Sequence, residues 1–143
     1  AVRGLGSSGS LMRVSPSWLK RATAKAREHD ISGLAVFLQA NPGFEQPPAQ
    51  VRMSGFAEFL ATFEDEARRL AKPVLFAHGD THQFRVDRPY ISPLDRQPVA
   101  NVMRVETFGS PWFDWVRVSV DASSPDGMFR VSAGGYTPAK GSD

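Results

Sequence analysis

The residues best suited to chemistry stand together in the segment HGDTH, where His78, Asp80 and His82 follow an apolar run. Imidazole nitrogens and carboxylate oxygens are good ligands for Mn, Fe or Zn, and residues two apart on a tight turn through Gly79 can share an ion. The same residues also fit a polar turn between strands, in which Asp80 caps the backbone and His82 bonds a carbonyl. His78, placed before the glycine, is expected to face the core. Spacing alone leaves both interpretations of the turn open.

Composition limits the classes of protein that fit. A chain of 143 residues with 41% hydrophobic residues is long enough for one domain with a core. Its 17 basic and 15 acidic residues are mixed along the chain, so no basic stripe for nucleic acid is present. No apolar run approaches the ~20 residues that span a bilayer, which predicts a soluble protein with no membrane partner. The lack of cysteine excludes thiolate metal sites and, with the lack of a signal peptide, favours the cytoplasm.

Two helices and two strands are predicted in the first half of the chain. Ser15 and Pro16 start the first helix, and an apolar stripe predicts a second helix over residues 55 to 71. The continuously apolar runs GLAVFLQA and PVLFAHG are typical of strands buried on both faces. Because a helix separates them, we expect parallel strands joined by a crossover.

The second half changes to short segments with alternating apolar and polar residues. These segments are QFRV, NVMRVETF, WFDWVRVSVD and MFRVSAG. They predict an antiparallel extension in the same sheet or in a facing one. The expected fold is therefore α/β, a layered sandwich with a mixed β-sheet flanked by helices. Scattered arginines such as Arg104 are expected on solvated faces, or at a phosphate substrate if the site is complete. The aromatic residues of SPWFDW are expected to face inward, with an exposed anchor for a partner as the alternative.

The chain is predicted to contain one domain between two flexible ends. The domain covers residues 14–133, because Gly/Ser-rich or polar sequence fills residues 1–13 and 134–143.

Polar side chains follow both of the apolar strands. Gln39 and Asn41 come after the first, and Asp80 and His82 come after the second. In open α/β sheets, functional side chains gather at the carboxyl ends of the strands, so these residues are expected at one edge. Arg85 follows shortly after and would meet a phosphate group if the site bound one.

Two stretches carry a resemblance to a known superfamily. VLFAHGDTHQFRVDRP and RVETFGSPWFDWVRVSVD resemble the carboxy-terminal part of the calcineurin-like metallophosphoesterases, in particular bacterial members, and the likeness covers about residues 15 to 132. It implies the carboxy-terminal half of an αββα fold and a two-metal site that hydrolyses phosphate esters. The family's Gly-His-x-His motif matches residues 79 to 82, with Asp80 in place of a histidine. Gln39 stands where the family has a histidine ligand.

The resemblance implies roles for six residues and two hypotheses for the whole chain. Metal ligands would be Asp80, His82 and Gln39, for Mn, Fe or Zn, while His78, Asn41 and Arg85 would support them or contact substrate. The family's remaining ligands belong to an amino-terminal half that these residues do not include. The chain is therefore either a hydrolase fragment that is inactive alone and works with that half, or a non-catalytic binding or assembly module. An exposed sheet edge would favour self-association in the second case.

Overall fold

The computed structural model of the protein describes residues 15–47, 49–50, 55–89, 97–112 and 114–135. Apart from Gly134 and Gly135, the predicted flexible ends lie outside these ranges. No helix in the described ranges is long and apolar enough to cross a membrane. The elements are α1 (Ser17–Glu28), β1 (Leu34–Phe37), α2 (Ala57–Leu70), β2 (Val74–His78), β3 (Arg85–Asp87), β4 (Val102–Glu106), β5 (Val116–Val120) and β6 (Phe129–Ala133).

A mixed four-stranded sheet forms the centre of the molecule, in the order β1-β2-β4-β3. β1, β2 and β4 are parallel, and β3 is antiparallel to β4. The predicted parallel pair with an intervening helix is confirmed, since α2 connects β1 to β2. β4 departs from the predicted antiparallel extension. The chain reverses between β3 and β4, and β4 then inserts beside β2 and runs parallel to it.

The two helices pack on one face of this sheet. α2 forms because its apolar residues recur three or four positions apart, which places Phe59 and Phe63 on one buried stripe. The ring centroid of Phe63 lies 5.0 Å from that of Phe76 on β2. The helix ends at Ala71, whose φ of 51° is left-handed and whose N–H bonds the carbonyl of Ala67.

An antiparallel hairpin of β5 and β6 packs on the opposite face. Phe129 of the hairpin joins Leu75, Ala77 and Val105 in a second, smaller core. All five residues of β2 are buried, as predicted for a strand covered on both faces. The predicted α/β class with a mixed sheet is therefore confirmed, although the two helices cover one face of the sheet and the hairpin covers the other.

β1 is buried on one face only, so the prediction for this strand was wrong. Val36 packs against the helices, whereas Ala35 is exposed and Phe37 is 70% exposed. The physical reason is coverage, because the hairpin packs on residues of β2 and β4. Within the described ranges, β1 has a strand neighbour on one side alone and forms an edge of the sheet.

The aromatic residues before β5 are exposed instead of facing inward. Trp112 is 66% and Trp115 is 53% exposed, and both precede the first residue of the strand, Val116. The Trp115 ring lies against Gly134, and the Arg117 guanidinium stands 5.0 Å from the ring centroid. Phe113 lies outside the described residues.

Candidate functional site

Three chain segments meet where β1, β2 and β4 end, which we call the carboxyl edge. The backbone N–H of Gly79 donates to the carbonyl of Gln39 at 3.1 Å, and the N–H of Thr107 donates to the carbonyl of His78 at 2.9 Å. These bonds extend the parallel pairing past the strands and bring the polar residues of all three segments to one edge. Ligands of open α/β sheets bind at this kind of position.

Residues 79–82 form a turn, which we call turn 79–82, and its backbone is unusual. Asp80 has a φ of 85° and His82 a φ of 62°, so both lie in the left-handed region. For a residue other than glycine this conformation costs roughly 1–2 kcal/mol, and it persists only where neighbouring contacts hold it. Such residues are concentrated at binding and catalytic sites, which makes this turn the leading candidate in the part of the chain that the structure describes.

Asp80 contacts the segment that follows β1. Its Oδ2 accepts the backbone N–H of Asn41 at 3.3 Å. The side-chain Oδ1 of Asn41 accepts the N–H of Gly43 at 2.8 Å, so that oxygen holds its own loop. Gln39 takes part through its backbone carbonyl, and the residue is exposed. Asn41 thus contacts Asp80 through its backbone, and its role as a supporting residue stays a prediction.

His82 contacts the segment that follows β4. Its Nδ1 lies 2.7 Å from the carbonyl oxygen of Ser110. Because a carbonyl can only accept, Nδ1 must carry the proton, and the neutral ring keeps a lone pair on Nε2. The ring lies directly on Gly109, where an added Cβ would come within 2.2 Å of Cδ2. A carbonyl that fixes an imidazole through Nδ1 is the usual support of a metal-binding histidine.

The contacts of turn 79–82 run in two directions. Asp80 bonds the segment after β1 and His82 the segment after β4, which lie on opposite sides of β2. In the part of the chain that the structure describes, no three His, Asp or Glu residues are arranged to hold a metal ion. Metal binding by Asp80, His82 and Gln39 therefore stays a prediction.

A polar row, buried at His78 and Glu106 and partly exposed at Arg85, lies beneath the turn. His78, Glu106 and Arg85 are register neighbours on β2, β4 and β3. Nδ1 of His78 lies 3.0 Å from the carbonyl oxygen of Gly79 and 3.8 Å from Oε1 of Glu106. The hydroxyl of Thr81 donates to the same Oε1. Glu106 thus connects the turn to the interior of the sheet.

Two atoms of this row lack a hydrogen-bond partner among the described residues, Nε2 of His78 and Oε2 of Glu106. His78 is 2% exposed and Glu106 is fully buried. The guanidinium Nε of Arg85 lies 3.5 Å from Oε2, close enough for an ion pair but without the geometry of a hydrogen bond. The expected core position of His78 is confirmed, although only one of its ring nitrogens is satisfied.

A second row of charges lies next to the first. Arg104 on β4 is 2% exposed, and its Nε donates to Oδ1 of Asp87 at 2.8 Å while Nη2 donates to Oδ2 at 2.5 Å. Its third partner is Glu45, in the loop after β1. Glu45 also accepts from Arg85 at 2.6 Å, so one carboxylate joins both guanidinium groups. The Arg104 guanidinium stands 5.3 Å from the ring centroid of Phe44.

The ion pairs keep their partners charged. Burial by itself would raise the pKa of Glu45, but the hydrogen bond and charge of Arg104 outweigh it and the pKa is lowered. Burial likewise lowers the pKa of Arg104, and its bonds to Asp87 and Glu45 more than offset this, so the pKa is raised.

The prediction of a solvated Arg104 was wrong, and the importance of Glu106 and Glu45 was missed. The alternation in NVMRVETF does place Val102, Arg104 and Glu106 on one face of β4. The alternation can be read from the sequence, but a strand face that carries charged residues is normally expected to face solvent. The face is buried because charges distant in sequence neutralise one another there.

Comparison with protein-family models, curated proteins and solved structures finds no match for this chain.

Proposed function

We propose that the chain supplies one wall of a metal-dependent phosphoesterase site. Asp80 and His82 would be its metal ligands, and Gln39 a peripheral ligand or phosphate contact. The observation that carries the proposal is turn 79–82, where two left-handed residues stand at the carboxyl edge. Strained backbone is concentrated at functional sites, ligands bind at that edge of open α/β sheets, and metal-binding histidines usually donate their other ring N–H to a carboxylate, carbonyl or water.

The donor set fits a divalent cation in part. His82 offers Nε2 because Nδ1 is bound to Ser110, and the Asp80 carboxylate has lone pairs beyond the one that Asn41 uses. Imidazole nitrogen and carboxylate oxygen suit Mn, Fe and Zn. When bound, such ions activate water and neutralise phosphate charge. Two strong ligands cannot hold a dinuclear centre, so the remaining ligands would come from another chain segment, and this chain alone is expected to be inactive.

The residues around the ligands have separate tasks in this proposal. Asn41 orients Asp80 through its backbone, and the Ser110 carbonyl holds the proton on Nδ1 of His82. Arg85 is partly exposed at the same edge and could meet a phosphate oxygen. Because Arg85 already pairs with Glu45 at 2.6 Å, a phosphate would have to compete with that carboxylate.

Metal titration of the purified chain tests the proposal. Mn²⁺ is paramagnetic, so it should first broaden the amide resonances of residues 79–82. Asp80→Asn and His82→Asn should each remove that effect, while Asp114→Asn, outside the turn, should not. Broadening that begins elsewhere, or that persists in both variants, would contradict the assignment. Hydrolysis of bis(p-nitrophenyl) phosphate with Mn²⁺ should be absent, and turnover that survives Asp80→Ala and His82→Ala would exclude this site as its source.

A non-catalytic assembly module is the second candidate, favoured by the edge strand β1. Phe37 is 70% exposed on that strand, and Ala35 beside it is exposed too. An apolar edge strand of this kind favours pairing with a second copy of the chain or with the amino-terminal half of the same protein. Light scattering after size exclusion should then show a dimer that Phe37→Lys converts to monomer, with Phe84→Lys as the control. A wild-type monomer would count against self-association.

A further inference from the structure

We infer that Glu106 is a positioning residue, which holds Asp80 and His82 in place through Thr81. The inference rests on the proposed function for its consequence, because the turn matters most if it binds a ligand. Its structural part concerns the turn alone and can be tested without a metal.

Turn 79–82 needs an internal anchor. Its two left-handed residues are exposed, and each is held by one bond to a neighbouring loop, to Asn41 or to Ser110. Thr81 lies between them in the sequence, and its hydroxyl donates to Oε1 of Glu106 on β4 instead of to a loop. This side-chain contact joins the middle of the turn to the core of the sheet.

Glu106 is well placed to serve as that anchor. It is fully buried at the last position of β4, so it cannot contact a ligand on the outer side of the turn. Its Oε1 accepts the Thr81 hydroxyl, and the carboxylate also lies 3.5 Å from Nε of Arg85 and 3.8 Å from Nδ1 of His78, although neither of these donates a hydrogen bond to it. Close packing around a buried side chain limits its rotation, so the Glu106 carboxylate is held in orientation, and a hydroxyl bonded to it is held with it.

Two substitutions at Thr81 separate the effect of losing the hydroxyl from the effect of changing the side-chain volume. Thr81→Val removes the hydroxyl and keeps the volume, whereas Thr81→Ser restores the hydroxyl. Thr107→Val removes a hydroxyl near Gly79 that is not the donor to Glu106, so it is the matched control. Because Thr81 is exposed, its substitution should leave the fold intact even if Glu106→Met does not.

The first measurement is the ¹⁵N heteronuclear NOE of the metal-free protein. Thr81→Val should lower the NOE of Asp80, Thr81 and His82 and leave β2 and β4 unchanged, while Thr81→Ser and Thr107→Val should match wild type. Glu106→Met, which removes the acceptor of the Thr81 hydroxyl, should reproduce the Thr81→Val profile. An unchanged profile in Thr81→Val would overturn the inference.

The second measurement is the affinity for Mn²⁺, determined by titration from the broadening of the amide resonances of Asp80, Thr81 and His82. Thr81→Val should weaken binding roughly tenfold, as loss of supporting contacts to metal ligands generally does, and Thr81→Ser should stay within about twofold. The Thr81→Val/Glu106→Met double variant should bind no more weakly than the weaker single variant, because both substitutions remove the same contact. A loosened turn with unchanged affinity would overturn the inference. If wild type binds no Mn²⁺, the proposed function fails, and the NOE profile still decides whether Glu106 positions the turn.

Discussion

The helix-facing side of the central sheet is apolar at one end and charged at the other, although β2 and β4 form both. From the amino to the carboxyl end, the register pairs on this side are Val74 with Val102, Phe76 with Arg104, and His78 with Glu106. All six residues are at most 2% exposed. These six side chains are therefore equally buried along the two strands. The two ends differ in the interactions that compensate for burial.

The two ends are covered by different parts of the chain. α1 and α2 cover the apolar end, where Leu19, Phe59 and Phe63 pack against the sheet. The loop after β1 covers the charged end, with Phe44 edge-on to Phe76 at 5.2 Å and Glu45 paired to Arg104. Close packing stabilises the first end, whereas neutralisation of opposite charges makes burial tolerable at the second.

The largest effect is expected at the apolar end. Phe63→Ala should lower the free energy of unfolding by about 3–5 kcal/mol, because the ring is 1% exposed and its removal leaves a cavity. Urea denaturation measures the change. Phe37→Ala, on the exposed face of β1, is the control and should change stability by less than about 0.5 kcal/mol. Equal losses in the two variants would mean that Phe63 does not lie in a close-packed core.

A smaller loss is expected at the charged end. Arg104→Met should cost about 2 kcal/mol, less than the 3–5 kcal/mol typical of breaking a buried pair. The reason is that Glu45 and Asp87 keep 42% and 38% exposed side chains and can recover water. Adding Asp87→Asn should restore part of the loss, which a double-mutant cycle in urea would measure. A loss as large as that of Phe63→Ala would contradict this difference between the ends.

The sequence predicts the apolar end better than the charged one, for a physical reason. The stripe of α2 and the run of β2 are local patterns, and burial of apolar groups depends little on which partner covers them. Burial of Arg104 depends on Glu45, 59 positions away, and no local pattern contains that pairing. The exposed face of β1 was mispredicted because an apolar run does not say which strands the hairpin will cover.

The candidate site also has features that local sequence predicts and features that depend on distant contacts. Asp80, His82, Gln39 and Asn41 were found from chemistry and strand ends, because parallel strands bring their carboxyl ends to one edge. The left-handed backbone of turn 79–82 and the Glu106 anchor follow from contacts between segments, so local sequence could not reveal them. The direction in which Asp80 and His82 lean depends on the same contacts.

A single buried charge at the apolar end gives the last test. Glu66 on α2 is 5% exposed and binds the Thr23 hydroxyl and the Arg27 guanidinium, at 2.5 Å and 2.8 Å. Burial alone would raise the pKa of Glu66, but these two partners outweigh it and the pKa is lowered. Glu66→Gln should therefore cost roughly 1–2 kcal/mol at neutral pH through the loss of charge-assisted hydrogen bonds.

The dependence on pH distinguishes this charge from a merely exposed one. Since the pKa of Glu66 is lower folded than unfolded, its contribution is present above the unfolded value, about 4.3, and is lost as pH falls through the folded value. The difference between wild type and Glu66→Gln in urea should thus shrink from pH 7 to pH 3. Asp65, the adjacent residue, pairs with Arg69 at 2.9 Å with both side chains more than half exposed. Asp65→Asn should change stability by less than about 0.5 kcal/mol, because water solvates both charges already. Equal changes in stability for Glu66→Gln and Asp65→Asn, with the same dependence on pH, would show that burial does not determine how much each carboxylate contributes to stability.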